Sequence, residues 1–183
     1  MTKYIGLNIE ENLDLIVPEL SMADELFQLV DSDREHIRSF LSFVDSTVDV
    51  SNQTDYIKLK LTGAANGTDK LFLIFKDNKI IGTIDLHRMD LTNKKAEIGY
   101  WIHSSQAGQN IMSKAVNRIC EYAFEALDLN KLVIFADVEN IASNKVALKT
   151  GFSLVGVKVQ DMIMYDQYRD MNEYFLLKSD FLN

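Results

Sequence analysis

The spacing of hydrophobic residues predicts a helical N-terminal part followed by a strand-rich part. A short β-like run in residues 13–20 stops at Pro18, the only proline of the chain. Apolar residues then recur at helical spacing in residues 23–30, 32–44 and 52–61, and a serine stands at the start of each of the first two segments. We therefore expect three helices, the last of which ends in the glycine-rich loop TGAANGTD.

The next segment changes to the two-residue period of β-strands. Residues 71–75 and 79–87, joined by an Asp-Asn turn, predict a hairpin, and AEIGYWIH at 96–103 predicts a third strand of the same meander. Residues 131–138 form a near-continuous apolar run, which is typical of a central strand covered on both faces.

Helices and strands alternate toward the C-terminus. The clearest amphipathic helix covers 111–127, and a second one, capped by Asn140, covers 141–149 before a Thr-Gly stop. Residues 152–159 and 171–178 predict two closing strands, separated by the polar, tyrosine-bearing loop QDMIMYDQYRD. The predicted fold class is therefore α+β, with a single central mixed sheet and helices on both faces.

Composition excludes several classes of function. The 183 residues fit one domain, 1–183, and 47% of them are hydrophobic against 25% charged. The formal net charge of −8 argues against nucleic acid as a partner, because phosphate backbones bind basic surfaces. Three scattered histidines and the single Cys120 offer neither a metal site nor a disulfide. With no signal peptide and no run of about 20 apolar residues, we expect a cytoplasmic protein without a membrane partner.

A loop with one glycine leads into the amphipathic helix, in the stretch SSQAGQNIMSKAV. The first N–H groups of a helix have no intrahelical partner and lie at the positive end of the helix dipole, so they bind phosphate without a lysine. Gly108 would allow the backbone to approach such a ligand closely. The stretch lacks the GxGxxG and GK[ST] patterns of nucleotide-binding loops, so by itself it leaves plain solvation as the alternative.

Several motifs follow one another over residues 96–152: AEIGYWIH, the Gly108 loop, NIMSKAV, YAFEALDLNKL, an Asn-x-x-Ser at 140–143 and KTGF. Together they resemble the GNAT superfamily of acyl-CoA-dependent N-acyltransferases. SDREHIRSFLSFVD at 32–45 and LHRMD at 86–90 are similar to its RimJ/RimL branch, the ribosomal-protein N-terminal acetyltransferases. The resemblance implies a mostly antiparallel sheet whose strands splay apart around acetyl-CoA.

The resemblance also assigns a cofactor-binding loop of six consecutive residues. They are Ala107, Gly108, Gln109, Asn110, Ile111 and Met112. The family writes this window Gln/Arg-x-x-Gly-x-Gly/Ala, so Ala107, Asn110 and Met112 depart from it. Asparagine tolerates unusual backbone angles, so we expect the backbone amides still to bind pyrophosphate, with reduced affinity.

The resemblance implies further roles around this loop. The strand at Trp101, Ile102 and His103 should separate from residues 131–138, so that the pantetheine arm of the cofactor pairs there like an added strand. A backbone N–H just past Gly99, near Tyr100 to Ile102, would polarise the thioester carbonyl.

Three polar residues complete the implied site. Asn140 would hydrogen-bond the pantetheine arm. Glu97 is the candidate general base for the acceptor amine, with a solvated or salt-bridged glutamate as the alternative. Many family members carry a tyrosine acid where this chain has Ala147, so protonation of the leaving thiolate falls to Ser143 or to water. Ser143 is also a candidate cofactor contact.

The predicted function is acetyl transfer from acetyl-CoA to a primary amine, with a protein N-terminus as the acceptor in the branch that the chain resembles. Two alternatives stay open: an acetyltransferase for a small amine such as a polyamine or an aminoglycoside-like acceptor, and a catalytically weak CoA-binding module. The resemblance to this branch also implies a homodimer. Candidate contact residues are Phe40, Phe43, Tyr165 and Tyr168.

Overall fold

In the computed structural model, which describes residues 4–182, the chain folds around one eight-stranded sheet. The strands are Gly6–Glu10 (β1), Leu13–Ile16 (β2), Lys70–Lys76 (β3), Lys79–Asp90 (β4), Lys95–Ile102 (β5), Lys131–Asp137 (β6), Ser153–Met164 (β7) and Gln167–Leu177 (β8). Their order is β1-β2-β3-β4-β5-β6-β8-β7, and every neighbouring pair is antiparallel except β5 and β6. The predicted mixed, mostly antiparallel sheet is confirmed.

Helices cover both faces of this sheet. They are Ala23–Asp31 (α1), Arg34–Arg38 (α2), Phe43–Ser46 (α3), Val50–Asn66 (α4), Ile111–Glu121 (α5), Ile141–Lys149 (α6) and Lys178–Phe181 (α7). Leu26 of α1 and Ile57 of α4 share a buried cluster with Leu73 of β3. Ile119 of α5 and Ala147 of α6 belong to a second cluster on the other face. Because each buried Leu or Ile contributes about 1.5–3 kcal/mol, these clusters hold the sheet between two helical layers.

The sheet is splayed between β5 and β6, as the resemblance implied. The two strands pair in parallel at three positions, the last of which is Glu97 opposite Val133. Beyond that pair, β5 continues beside β4 to Ile102, and β6 continues beside β8 to Asp137. A slot therefore opens between the C-terminal parts of the two strands.

Three predicted helices have different bounds in the structure. The helix predicted at 111–127 is α-helical to Glu121 and continues as a π-helical turn, Tyr122–Ala126. The single helix predicted at 32–44 is wrong, because this segment forms α2 and α3 with a turn between them. Arg34 stabilises the turn, since its guanidinium donates to the carbonyls of Val44, at 2.7 Å, and Thr47. α4 continues past residue 61 to Asn66, and the C-cap residue Gly67 follows with a φ of 75°, the left-handed conformation typical of a helix C-terminus.

The polar loop predicted at 160–170 is also wrong. β7 and β8 extend through it and meet at Tyr165-Asp166, whose φ angles of 53° and 60° are those of a type I′ hairpin turn. A bulge between Lys158 and Met162 takes up the polar residues that hid the strand pattern. β1 was not predicted, because GLNIE is too short and too polar to show a clear alternation.

Candidate active site

Backbone donors lie along the β5 side of the slot. His103 donates its backbone N–H to Ile81, across the ladder with β4. Successive residues of a strand direct their amides to opposite edges, so the N–H groups of Ile102 and Tyr100 point toward the slot, beyond the last pair with β6. These are the positions at which the sequence predicts a donor for the thioester carbonyl.

The predicted cofactor loop keeps a glycine-like backbone where asparagine replaces glycine. Asn110 is the N-cap of α5 with φ 62° and ψ 10°, in the left-handed region. Gly108 has φ 75°, and a Cβ added to it would meet no atom within 4 Å, so the loop borders open space. The exposed residues of the loop are Ala107, Gly108, Gln109 and Asn110. Ile111 and Met112 are buried in the core, so the ligand-facing groups that they offer are backbone amides.

Two charged side chains hold this loop in place. Lys76, at the end of β3, donates to Gln109 Oε1 at 2.7 Å and to Gln106 Oε1 at 3.1 Å. Asp33 accepts from the backbone N–H of Ser104 at 2.6 Å and from its hydroxyl at 2.7 Å. Neither residue was predicted to belong to the site, because each comes from an element distant along the chain and carries no local signal.

The side chains of Trp101 and His103 are turned away from the slot. Trp101 packs against Phe43 on the face covered by α1 and α4, with 6.2 Å between the ring centroids. His103 Nδ1 accepts from the Ser105 N–H at 3.1 Å, and its Nε2 lies 3.3 Å from the Ser32 hydroxyl. Trp101 and His103 therefore organise the surrounding segments through their side chains, whereas Ile102 faces the α5 side of the sheet.

The first turn of α6 forms the opposite wall of the slot. Asn140 Oδ1 accepts from the Ser143 N–H at 3.0 Å and caps the helix, so the amide NH₂ of Asn140 is the group that can donate to a ligand. The Tyr100 hydroxyl lies 2.9 Å from Ser143 Oγ and links β5 to α6. Burial raises the pKa of Tyr100 to about 12, so this hydroxyl stays protonated at neutral pH. No role was predicted for the Tyr100 side chain.

Glu97 lies where β5 and β6 separate, with its side chain on the face covered by α1 and α4. Its carboxylate is 3.1 Å from Arg88 Nη1 and 3.4 Å from Nε2 of His87, its cross-strand neighbour. The ion pair of the alternative interpretation is therefore present, between Arg88 and Glu97. The Glu97 side chain is 22% exposed, which leaves part of the carboxylate accessible to an incoming group.

A chain of charged side chains continues from His87 toward α4. Asp85 Oδ1 lies 3.2 Å from His87 Nδ1, and Asp85 Oδ2 lies 2.6 Å from Lys60 Nζ. Lys60 also contacts Asp69 at 2.7 Å. Burial opposes the charge of Lys60, but Asp85 and Asp69 outweigh burial and raise the pKa of its ammonium group. This chain of charges was not predicted, because its one local sign in the sequence is the spacing of Asp85 and His87 on one face of β4.

Two further features bear on the class of protein. Among residues 4–182, no three His, Cys, Asp or Glu side chains are grouped so that they could hold a metal ion. In the same part of the chain, no helix has the length and apolar character needed to cross a membrane.

Comparison with known proteins decides the family. A family model described as an acetyltransferase (GNAT) domain matches residues 12–153. The chain belongs to the GNAT acetyltransferases. A ribosomal-protein-serine acetyltransferase from Escherichia coli (strain K12) is 30% identical to this GNAT chain, over 92% of it and 94% of the relative.

Two solved GNAT structures are similar over nearly the whole chain. RimL, a ribosomal L7/L12 alpha-N-protein acetyltransferase in complex with coenzyme A, has a TM-score of 0.91 and 26% identity, covering 94% of this chain and 98% of its own. The Microcin C7 self immunity acetyltransferase MccE in complex with acetyl-CoA and AMP has a TM-score of 0.90 and 27% identity, with coverages of 94% and 96%. This GNAT chain is thus an acetyl-CoA-dependent N-acetyltransferase, and the predicted cosubstrate and reaction class are confirmed.

Proposed function

We propose that the acceptor is the N-terminal amine of a protein, and of a ribosomal protein in particular. The likeness to a ribosomal-protein-serine acetyltransferase, which extends over nearly all of both chains, carries this proposal. The likeness in fold does not choose between acceptors, because RimL and MccE are equally similar and are named for different activities.

The surroundings of Glu97 support a cationic acceptor that enters from the face covered by α1 and α4. On this face the Glu97 side chain is 22% exposed, where β5 and β6 separate. Trp101 of β5 packs against Phe43 on the same face, with 6.2 Å between the ring centroids. A partly exposed carboxylate attracts a protonated amine.

In the proposed complex, acetyl-CoA spans the slot. Its pyrophosphate lies at the unpaired N–H groups that open α5, with Lys76 close to the same loop. The pantetheine arm follows the free edge of β5 and accepts a hydrogen bond from the Asn140 NH₂ group. The backbone N–H of Tyr100 or Ile102 then polarises the acetyl carbonyl, because a preorganised donor stabilises the oxyanion that forms there.

Proton transfers follow from the groups on either side of the slot. Glu97 takes one proton from the acceptor ammonium, and the freed nitrogen bonds to the acetyl carbon. As the C–S bond breaks, the second ammonium-derived proton passes from nitrogen to sulfur, and the proton on Glu97 is released to water. The Ser143 hydroxyl, held by Tyr100, donates a hydrogen bond to the leaving sulfur.

A substrate panel tests the acceptor. The panel contains a peptide that begins with serine, the same peptide blocked at its N-terminus but carrying an internal lysine, spermidine, and an aminoglycoside; free thiol and product mass are measured. We expect acetylation of the free N-terminus alone. Acetylation of spermidine or the aminoglycoside would instead establish the small-amine function, and acetyl-CoA binding without thiol release from any acceptor would establish the binding module.

A substitution tests the role of Glu97 within the same assay. Glu97→Gln should lower kcat by roughly 10²–10⁴-fold, the usual contribution of a general base, while calorimetry finds the Kd of acetyl-CoA unchanged. Glu125→Gln makes the same chemical change at an exposed position and should have no effect. An active Glu97→Gln variant would contradict the assignment.

We further propose a homodimer that forms through β7. This strand lies at the edge of the sheet and exposes apolar side chains at Leu154, Val155, Val157, Val159 and Ile163. The free backbone groups of an edge strand can pair with a strand of another chain unless another surface covers them. Phe43 packs on Trp101 instead of forming an exposed contact. Val157→Lys should convert a dimer into a monomer in sedimentation equilibrium, and a monomeric wild type would refute the proposal.

A further inference from the structure

The His87 ring lies between two carboxylates on neighbouring strands. Its Nδ1 faces Asp85 Oδ1 at 3.2 Å, and its Nε2 faces Glu97 Oε2 at 3.4 Å. A carboxylate only accepts hydrogen bonds, so the bond to Asp85 assigns the proton of the neutral ring to Nδ1. The lone pair of the neutral ring then lies at Nε2, facing Glu97, whose negative charge Arg88 offsets, and it can accept a proton once Glu97 is itself protonated.

Each of the two carboxylates has a cation of its own. Lys60 contacts Asp85 at 2.6 Å, and Arg88 contacts Glu97 at 3.1 Å. Asp69 shares Lys60, and Tyr56 of α4 lies close enough to Asp85 and Asp69 for their charges to raise the pKa of its phenol, after burial as the main cause. The charged and titratable groups facing the ring are therefore Lys60, Asp69, Asp85, Arg88, Glu97 and the Tyr56 phenol, and neither carboxylate depends on His87 for its neutralising charge.

Gly99 supplies the space that this arrangement needs. It is the cross-strand neighbour of Asp85. A Cβ at this position would lie 2.8 Å from Asp85 Oδ1, which is closer than real Cβ contacts allow, and 3.0 Å from His87 Cε1, which is tight. The nearest of these atoms is the end of a flexible side chain. Alanine at 99 should therefore displace the Asp85 carboxylate from His87 without unfolding the sheet.

The side chain of His87 is more exposed than those of the two carboxylates beside it, Asp85 at 11% and Glu97 at 22%. The side chain of His87 is 30% exposed and that of Arg88 is 75% exposed. The Lys60–Asp85 end is fixed inside the protein, and the His87–Glu97 end opens where β5 and β6 separate. A proton that reaches His87 can therefore leave to solvent.

We propose that His87 is a positioning residue that receives the proton which Glu97 removes from the acceptor amine. This inference rests on the proposed role of Glu97. The O–H bond formed on Glu97 breaks as Nε2 of His87 gains the proton, and the imidazolium ion pairs with Asp85 until it releases the proton to water. Imidazole suits this step because it gives and takes protons in the neutral range. Lys60 and Gly99 keep the ring in this position, because Lys60 binds the Asp85 carboxylate and Gly99 leaves it the space beside the ring.

The test compares His87→Gln, Gly99→Ala and the double variant with the wild type, and uses His36→Gln, an exposed histidine of α2, as the control. kcat with the serine peptide is measured from pH 5 to 9, the Kd of acetyl-CoA by calorimetry, and the His87 ring by ¹⁵N NMR. We expect His87→Gln and Gly99→Ala each to lower kcat about tenfold, part of what a general base contributes, with Kd and folding unchanged. We also expect the acid limb of the kcat profile to move to lower pH in both, and the double variant to be no slower than His87→Gln.

Several outcomes would overturn the inference. A uniform fall in kcat without a shift of the pH profile would mean that His87 is merely structural. An effect of Gly99→Ala that adds to that of His87→Gln would mean that the two act separately. Full activity of His87→Gln alongside an inactive Glu97→Gln would refute the relay and leave the proposed base intact. If acetylation is absent altogether, the ring signal decides: no change in the His87 titration in Glu97→Gln would refute the pairing itself.

Discussion

The left-handed backbone of Asn110 gives a direct test of the cofactor loop. Only glycine adopts this conformation without cost, and an ordinary residue pays about 1–2 kcal/mol, with asparagine among the best tolerated. Asn110→Ala should therefore lower the free energy of unfolding by about 1 kcal/mol or less, as the loop relaxes out of the strained conformation. Asn110→Gly should leave it unchanged or raise it.

The same strain should appear in ligand binding. If pyrophosphate binds the loop in the conformation that Asn110 holds, the relaxed loop of Asn110→Ala must return to that conformation on binding. A cost of about 1 kcal/mol for this change weakens the Kd of acetyl-CoA by about fivefold. Calorimetry measures Kd and urea denaturation measures stability. Asn78 is the matched control, because it is exposed in the β3–β4 turn with φ 63°. An equal loss of affinity in Asn78→Ala, or no loss in Asn110→Ala, would refute the reasoning.

Three other substitutions test separate contacts. Tyr100→Phe should lower kcat about tenfold by removing a hydrogen bond next to the leaving sulfur, whereas Tyr174→Phe, at another buried tyrosine, should not. Folding favours the neutral phenol of Tyr100, because burial raises its pKa from 10.0 to about 12. The free energy of unfolding should therefore fall as the pH rises from 10 to 12, and it should fall less in Tyr100→Phe. Lys178 and Lys94 lower the pKa of Asp128 to about 2, so the ionised Asp128 stabilises the folded state above pH 3.8, and this stabilisation is lost as the pH falls toward 2. The acid unfolding curve of Asp128→Asn should lack this pH-dependent loss of stability. Arg34→Ala should speed amide hydrogen exchange in residues 39–47, because the Arg34 guanidinium holds this segment through the carbonyls of Val44 and Thr47.

Local sequence patterns predicted those elements whose signals lie within one segment. The stripe on α5, the Asn140 cap of α6 and the β3–β4 hairpin all carry their periodicity and stop signals in the residues that form them. The break between α2 and α3 escaped prediction because it depends on Arg34 reaching carbonyls ten and more residues away. Both strands of the β7–β8 hairpin were predicted, but their extension through residues 160–170 escaped because a bulge interrupts the two-residue period.

The residues of the candidate site likewise fall into those that a local motif predicts and those that only the folded chain brings together. The loop at Gly108 and the motif residues Glu97 and Asn140 stand out in the sequence, since a motif fixes them. Lys60, Asp85 and Lys76 come from three different elements, and only the folded sheet brings them to Glu97 or to the loop. Tyr100 belongs to a motif, but its hydroxyl gains a role only because α6 places Ser143 2.9 Å away.

Mapping the cofactor on the backbone amides tests the central claim most directly. Acetyl-CoA is titrated into ¹⁵N-labelled protein, and the amide shifts of every assigned residue are followed. We expect the largest changes at the start of α5, from Gln109 to Ser113, and at Tyr100 and Ile102 on the free edge of β5. Small shifts at these amides together with large shifts elsewhere, or no shifts at millimolar acetyl-CoA, would contradict a cofactor held by the slot and the helix start.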